Sequence, residues 1–293
     1  MFKINYILKK PEKIVPWGDE AKSLHWFGLT DGLLWIDAGD SVIYEYARPH
    51  PDEFEEQVKY DDYQLSRFIE DILELTPVIS ESVPEYLFDV IDKLADEFQA
   101  WKSMYIDKSD EEFDLFYDER YAPLSDWFYD RVLSSGHLVC GPSIGFFRCG
   151  DKLKIVWDSD TLEDGSEMWK FPRGIYETDY QSFVSEVSGF ISSFTADMDK
   201  QVADVVSKGI PGVYVDADAL VRENEQRKKT FEQQLSCLNS DGDRGTDWDK
   251  IRELYVMMCR ETGAVAKALG LNDSNLAHDN HYPYDLVHYK EGI

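Results

Sequence analysis

Basic residues are scarce in this chain of 293 residues, which has 30 Lys and Arg against 58 Asp and Glu. The resulting formal net charge of -28 repels nucleic-acid phosphates and anionic membrane surfaces at long range. We therefore expect no direct nucleic-acid binding and no membrane partner. The same charge attracts basic proteins, so a basic protein is the expected class of partner. An acidic composition also serves solubility alone, which is the simpler explanation of the charge.

Cysteines and long apolar runs are also few. The four cysteines are widely spaced and show no paired metal-ligand pattern: Cys140, Cys149, Cys237 and Cys259. They fit reduced thiols in the cytoplasm, where we expect this protein to be located. No apolar run reaches the roughly 18 residues that a membrane span requires. The N-terminal sequence MFKINYILKK lacks the apolar segment of a secretory signal.

Signatures of catalysis and of cofactor binding are missing as well. No glycine-rich phosphate loop follows a predicted strand, and the closeness of Cys140 to His137 in sequence is weak evidence for a nucleophile and its base. The C-terminal tail contains His278, His281 and His288, but their spacing matches no standard zinc or di-iron pattern. We therefore predict no metal and no cofactor, and we favour a non-enzymatic protein over an enzyme.

Aromatic residues, in contrast, are abundant, and the stretch LHWFGLTDGLLWIDAGDSVIYEY at residues 24–46 is rich in them. Short apolar runs alternate there with turn signals at residues 30–32 and 38–40, which predicts a three-stranded antiparallel meander. The first two runs are apolar on both faces. We therefore expect other elements to cover this meander on both sides.

Four residues of this stretch are candidates for a binding site: His25, Trp26, Asp31 and Trp35. In the functional interpretation the tryptophans form an aromatic surface, and His25 and Asp31 supply polar groups beside it. In the structural interpretation, which we favour, the rings belong to the hydrophobic core and Asp31 serves a turn. The sequence identifies no catalytic residue.

A second meander is predicted after residue 136, with strands at residues 143–149, 153–157 and 167–171 and a further strand candidate at residues 174–177. Amphipathic helical patterns follow both meanders, and the last third of the chain is predicted to be helical. The fold class is therefore predicted to be α+β, with antiparallel β-meanders covered by amphipathic helices and a helical C-terminal region.

The predicted domain division follows from this order of elements. We expect an α+β core at residues 1–208, made of two meander-plus-helix halves at about 1–135 and 136–208. A helical region with a polar tail occupies residues 209–293. Within the first half, residues 107–120 interleave acids with aromatic residues and are predicted to form a surface loop.

Several sequence blocks resemble a known family when they are taken in order. LHWFGLTDG and LWIDAG come first, and between residues 25 and 35 they carry a His-Trp-Phe to Asp-Gly to Trp signature. SDWFYDRVLSSGHLVCGPSIGFFRCGDKLKIVWD and GTDWDKIREL follow. This order resembles a bacterial family catalogued as a domain of unknown function over roughly residues 1–258. The resemblance implies a bacterial cytosolic protein and assigns no activity, and the tail from Cys259 to Ile293 departs from it.

Three hypotheses for the function follow. The favoured one is a non-enzymatic acidic interaction or inhibitor protein, of the immunity or antitoxin type, that binds a basic partner. The second is a small-ligand-binding protein or enzyme with an aromatic cleft around Trp26 and Trp35. The third is a DNA mimic, which requires carboxylates at phosphate-like spacing on one face. A fold class alone does not choose among them.

Overall fold

The computed structural model describes residues 1–19, 21–51, 57–94, 96, 98 and 110–261, with the backbone alone at 51, 110–119 and 261. Contacts divide the chain into two compact units. The first unit comprises Met1–Pro84 and Ser125–Thr246, and the second comprises Glu85–Leu124 and Asp247–Ile293. This partition reports contacts rather than independent folding, so the predicted boundary at residue 208 stays a prediction.

The first unit contains an antiparallel sheet of five strands with the order β1-β2-β5-β4, in which β3 pairs with β2 outside this path. Its strands are β1 Phe2–Leu8, β2 Asp31–Ala38, β3 Ser41–Ile43, β4 Glu45–Pro51 and β5 Gln57–Gln64. The central strand β2 is flanked by β1, which pairs Ile4 with Ile36, and by β5, which pairs Asp61 with Leu34. Three of its apolar side chains are buried because alternate residues point into the core: Leu34, Ile36 and Ala38.

The predicted strand at residues 24–29 is wrong. The chain there enters a 3-10 helix at Gly28–Thr30, and the amide of Leu29 donates a hydrogen bond to the carbonyl of His25 at 3.1 Å. The Thr30 hydroxyl closes the turn by donating to the carbonyl of Phe27 at 2.7 Å. This local bond competes with strand pairing, and β1 takes the place beside β2 that the predicted strand was expected to fill.

The second sheet of the first unit has the order β6-β7-β8-β9 and is also antiparallel. Its strands are β6 Val132–Ser134, β7 Ser143–Cys149, β8 Lys152–Asp158 and β9 Arg173–Asp179. The strand predicted at residues 167–171 is absent from this sheet. Within that segment, Trp169 forms an isolated bridge to Tyr46 of β4 in the first sheet. The segment instead pairs briefly with the first sheet, because the amide of Lys170 donates to the carbonyl of Glu45 at 2.8 Å.

The α-helices are α1 Leu65–Glu74, α2 Thr76–Ile79, α3 Glu85–Phe88, α4 Asp110–Tyr129, α5 Tyr180–Lys208, α6 Ala217–Leu235 and α7 Trp248–Glu261. The fold class is α+β with antiparallel sheets and a helical C-terminal region, as predicted. The long helix α5 begins after Asp179, whose carboxylate accepts a hydrogen bond from the amide of Ser182 at 2.8 Å. Among the described helices, none is both long enough and apolar enough for a membrane crossing.

Helix α5 joins the two sheets of the first unit around one core. The ring of Phe183 lies 5.5 Å from Phe2 of the first sheet and 5.6 Å from Phe146 of the second. Further along the helix, Phe194 contacts Tyr6 and Trp26 at centroid distances of 6.1 and 6.3 Å. The aromatic stripe of this helix therefore covers both sheets.

The second unit is helical in its described part. The Tyr86 hydroxyl donates to the carbonyl of Trp248 at 3.2 Å, and Asp247 caps α7 by accepting from the amide of Lys250 at 3.0 Å. Helix α4 corrects the loop predicted at residues 107–120, because residues 110–120 are helical and the rest of that prediction lies outside the described residues. No glycine or proline occurs between residues 110 and 122, so helix formation has no local obstacle there.

Candidate functional site

The candidate site is a small recess on the core side of the first sheet. It lies between β5, α1 and the segment that follows β6. The residues that matter chemically are two carboxyl groups, three aromatic rings and one imidazole: Asp61, Asp71, Tyr44, Tyr63, Phe68 and His137. The space open to the centre of a water-sized molecule measures about 10 Å³. This space holds a group about the size of one water molecule without movement of the walls.

Asp61 forms the floor of the recess because of its register in β5. It pairs with Leu34 of β2, and directly paired residues of neighbouring strands point to the same face of a sheet. Leu34 belongs to the core, so Asp61 is carried there too and is only 4% exposed. Its Oδ1 atom has no hydrogen-bond partner among the described residues. A buried polar atom without a partner is costly, so the position of Asp61 calls for an explanation.

The environment of Asp61 favours its neutral form. Burial, together with the nearby charges of Asp62 and Asp31, raises the pKa of this carboxyl group to about 7. The backbone amide of Asp62 opposes this shift only in part. Asp61 can therefore gain or lose a proton near neutral pH, which is the range in which a carboxyl group can act as a switch.

Asp62 and Asp31, the two acids that act on Asp61, share a cation of their own, Lys9. The ammonium group of Lys9 lies 2.6 Å from Asp62 and 3.2 Å from Asp31. Burial lowers the pKa of Lys9, but the two carboxylates outweigh burial and raise it. Lys9 thus partly neutralises Asp62 and Asp31, whereas no ion pair to Asp61 occurs among the described residues.

Tyr44 forms the aromatic wall beside Asp61. Its φ of 67° lies in the left-handed region, which is uncommon for a bulky residue and costs about 1–3 kcal/mol. Three contacts of Tyr44 hold it there. Its carbonyl accepts from the amide of Asp61 at 3.0 Å, its hydroxyl lies 2.6 Å from that of Ser135, and its ring packs edge-on against Trp169 at 5.8 Å.

Trp169 connects Tyr44 to a second residue with left-handed backbone, Cys140, whose φ is 49°. The indole Nε1 of Trp169 donates to the carbonyl of Cys140 at 2.7 Å, and its ring stacks on Tyr46 at 4.8 Å. Trp169 is 2% exposed. The two strained residues thus share one buried tryptophan, which fixes the backbone next to the recess.

The rim of the recess reaches the surface at His137, whose ring packs on that of Tyr63 at 4.7 Å. Partial burial and the nearby guanidinium of Arg67 lower the pKa of His137. Asp71, at the α1 side, accepts a hydrogen bond from Arg67 at 3.1 Å. Burial nonetheless raises the pKa of Asp71. Carboxyl groups with raised pKa therefore lie at both the floor and the α1 side of the recess.

A larger open groove of about 1040 Å³ lies beside β1 and the C-terminal half of α5. Its charges cancel one another, since Lys200 pairs with Asp197 at 2.8 Å and Lys208 pairs with Asp204 at 2.5 Å. No described polar atom that lines it is buried without a partner. The recess at Asp61 is therefore the stronger candidate for a specific site.

The four residues predicted from the sequence lie apart from the recess. His25 is exposed and packs its ring against Trp17 at 4.3 Å, whereas Trp26 is 1% exposed in the core and donates from Nε1 to Asn224 at 2.9 Å. Asp31 is buried beside Lys9, and Trp35 stacks on Tyr60 at 4.2 Å. Neither of the two cavities described above includes any of these four residues. Their role in binding stays a prediction.

Sequence patterns gave little warning of the recess. Asp61 stands in the acidic stretch DEFEEQVKYDD, where a solvated connection is the simplest interpretation. The alternation of Val58 and Tyr60 with Lys59 and Asp61 has the period of a strand, but it places Asp61 on the polar face with Lys59 and so gives no sign of its burial. Metal binding finds no support at the described residues, which contain no group of three or more potential ligands arranged around one point. The histidine-containing tail at residues 278–288 lies outside the described residues.

A family model described as a family of unknown function, DUF5984, matches residues 3–254. The chain belongs to this family. The resemblance proposed from the sequence blocks is thereby confirmed. No curated protein and no solved structure matches the chain. All residues of the recess fall within the DUF5984 match, and the family brings no activity with it, so the functional argument rests on the site and the charge.

Proposed function

We propose that this DUF5984 member is a non-enzymatic binding protein that recognises a basic protein partner, as an inhibitor of the immunity or antitoxin type does. The observation that carries the proposal is the negative charge that the protein leaves without compensation. The 58 acidic residues exceed the 30 basic residues by 28. Internal ion pairs can therefore neutralise only about half of the carboxylates.

The connection between β8 and β9 presents this excess on the surface. It carries four exposed acids: Asp160, Glu163, Asp164 and Glu167. Within the described part of the chain, none of the four lies within ion-pair distance of a lysine or arginine. The carboxylate of Asp164 accepts hydrogen bonds from the amide and the hydroxyl of Ser166, at 2.9 and 2.6 Å. Carboxylates of this kind attract a basic surface without first breaking an internal pair.

The physical effect of such a surface is mainly on recognition kinetics. A strongly negative protein raises the encounter rate with a positive one by roughly 10-fold to 1000-fold at low salt, and it repels acidic competitors. Affinity then requires close contacts, which a carboxylate in a recess can supply. The Asp61 recess and the acidic β8–β9 connection together fit a protein that captures basic partners.

The test is affinity capture from native cells at about 0.1 M salt, followed by elution at about 1 M, where the screening length falls from about 10 to about 3 Å. We expect a basic protein that is retained at the lower salt and released at the higher. The interaction is then rebuilt from purified components. The absence of any basic partner with this salt response would refute the proposal.

Matched variants show whether charge position matters. Glu163→Gln with Glu167→Gln removes two charges from the β8–β9 connection, and Asp218→Asn with Glu232→Gln removes two from exposed positions on α6. We expect the first variant to slow association with the purified partner more than the second, because only the first removes charges from the β8–β9 connection, where we place the partner. If both variants slow association equally, the effect depends on net charge alone and not on the position of the charges.

A further inference from the structure

We propose that the Asp61 recess binds a primary alkylammonium group, as presented by a lysine side chain of a basic partner. The assignment of the group to a partner's lysine rests on the function proposed above. The ammonium head would lie against the unpaired Oδ1 of Asp61, with its alkyl chain leaving past the rim.

The unpaired carboxyl group is the first reason. Asp61 lines the recess, is 4% exposed and keeps Oδ1 without a partner in the described structure. An ionised carboxylate in such a place is unfavourable until a cation or hydrogen-bond donor reaches it. A charged N–H donor forms a hydrogen bond roughly twice as strong as a neutral one, so an ammonium group satisfies Asp61 better than water does.

The aromatic walls are the second reason. The rings of Tyr44 and Phe68 meet edge to face at 6.3 Å, and Tyr63 borders the same space. Aromatic faces attract cations through their quadrupole, and rings combined with carboxylates are a recurrent means of binding ammonium groups. Tyr44 is held in its strained backbone conformation by Ser135 and Trp169, so its side of the recess is preformed.

Size selects among cations. The space of about 10 Å³ admits one group the size of water, which an ammonium head matches. A guanidinium group is planar and presents a broad fork of five donors, so it does not fit this volume. A divalent metal ion would require more oxygen or nitrogen ligands than the described residues bring together there.

The charged groups around Asp61 come from four places besides β5: β2, the residue after β1, α1 and the segment after β6. Asp62 of β5 and Asp31 of β2 are partly neutralised by Lys9, Asp71 of α1 is paired with Arg67, and His137 follows β6. The pKa of Asp61 is raised to about 7, so an arriving ammonium group finds a protonated partner below that pH. Ammonium binding is therefore coupled to proton release and strengthens as pH rises.

The probe is n-butylammonium chloride, added to the full-length isotope-labelled protein and followed by changes in NMR amide chemical shift. We expect saturable shifts around Asp61 and His137, with an affinity that rises roughly tenfold between about pH 6 and pH 8. Neutral n-butanol and n-butylguanidinium serve as chemical controls. We expect both to produce at least about tenfold weaker effects, since one lacks charge and the other exceeds the recess.

Three variants complete the test. Asp61→Asn should weaken n-butylammonium binding at least about tenfold, and Asp71→Asn at the rim should weaken it by a smaller factor. Asp218→Asn, which removes an exposed carboxylate on α6, should leave the affinity unchanged. If Asp61→Asn fails to fold, the weaker binding expected of Asp71→Asn still tests the proposal.

The outcomes separate the two proposals. If n-butanol shifts the same residues as strongly, or if Asp61→Asn binds n-butylammonium as well as the wild type, the carboxylate of Asp61 does not select an ammonium group and this inference is refuted. If a basic partner binds wild type and Asp61→Asn equally, the inference about the partner's lysine fails while the proposed function stands. If n-butylammonium binds but no basic protein does, the proposed function fails while the recess remains an ammonium site.

Discussion

Asp61 and Asp62 are consecutive residues of β5 whose carboxyl groups lie on opposite faces of the first sheet. Asp62 is 2.6 Å from the ammonium group of Lys9, whereas Asp61 points to the core with an unpaired Oδ1 among the described residues. The period of two along a strand is sufficient to produce this difference. One residue of shift in the pairing of β5 would exchange the two environments.

The first prediction concerns the pH dependence of stability. The pKa of Asp61 rises from 3.8 to about 7 on folding, so between these values the folded protein holds a proton that the unfolded chain has released. Stability therefore falls as pH increases through this window, by about 2–4 kcal/mol in total. We expect Asp61→Asn to remove this loss and to be more stable than the wild type at about pH 8.

Urea unfolding at about pH 5 and pH 8 measures both effects. Asp218→Asn is the control, because it removes a carboxylate from an exposed position and should keep the pH response of the wild type. A variant Asp61→Asn that loses as much stability with rising pH as the wild type would show that Asp61 is ionised in the folded protein throughout this range.

The outline of this fold was predictable from the sequence, and the recess was not. Turn signals and alternation located β7 and β8, and the apolar stripe located α5, because these elements depend on local patterns. The strand predicted at residues 24–29 is wrong because aromatic residues suit both a strand and a buried 3-10 turn. Trp26 was assigned correctly to the core. The burial of Asp61 depends on pairing with Leu34, 27 positions away in sequence, which no local pattern encodes.

The second prediction concerns an ion pair inside the first unit. Arg131 donates to Glu81, and both side chains are buried, at 1% and 4% exposure. Glu81 also accepts from the Thr246 hydroxyl at 2.8 Å and from the Arg244 amide at 3.1 Å. We expect Glu81→Ala to lower the free energy of unfolding by about 3–5 kcal/mol, because it leaves a buried guanidinium without its charge partner.

The surface pair of Arg244 and Asp130, at 3.4 Å, is the matched comparison. Asp130→Ala should cost at most about 1 kcal/mol, since exposed ion pairs contribute little. Chemical denaturation of both variants at neutral pH gives the two values. Similar costs for Glu81→Ala and Asp130→Ala would contradict the assignment of the Glu81 pair to a buried structural role.

The third prediction separates two tryptophans that the sequence placed in one candidate cleft. Trp26 is 1% exposed and donates to Asn224, so Trp26→Ala should cost about 3–5 kcal/mol through the cavity it creates. Trp35 is only half-buried and stacks on Tyr60, so Trp35→Ala should cost about 1 kcal/mol. Thermal unfolding of both variants measures the difference. A mild effect at Trp26 would revive the hypothesis of an aromatic binding surface.

The fourth prediction concerns the hydroxyl groups of Tyr44 and Ser135, which lie 2.6 Å apart and are both buried. Tyr44→Phe leaves the Ser135 oxygen without its partner, which should cost about 1–3 kcal/mol. Ser135→Ala has the converse effect on Tyr44, and the double variant should cost less than the sum of the single ones. Urea unfolding of the four proteins gives the coupling energy.

Tyr44→Phe keeps the aromatic face of the recess, so this variant should still bind n-butylammonium. Loss of that binding would mean that the hydroxyl, rather than the ring, recognises the cation.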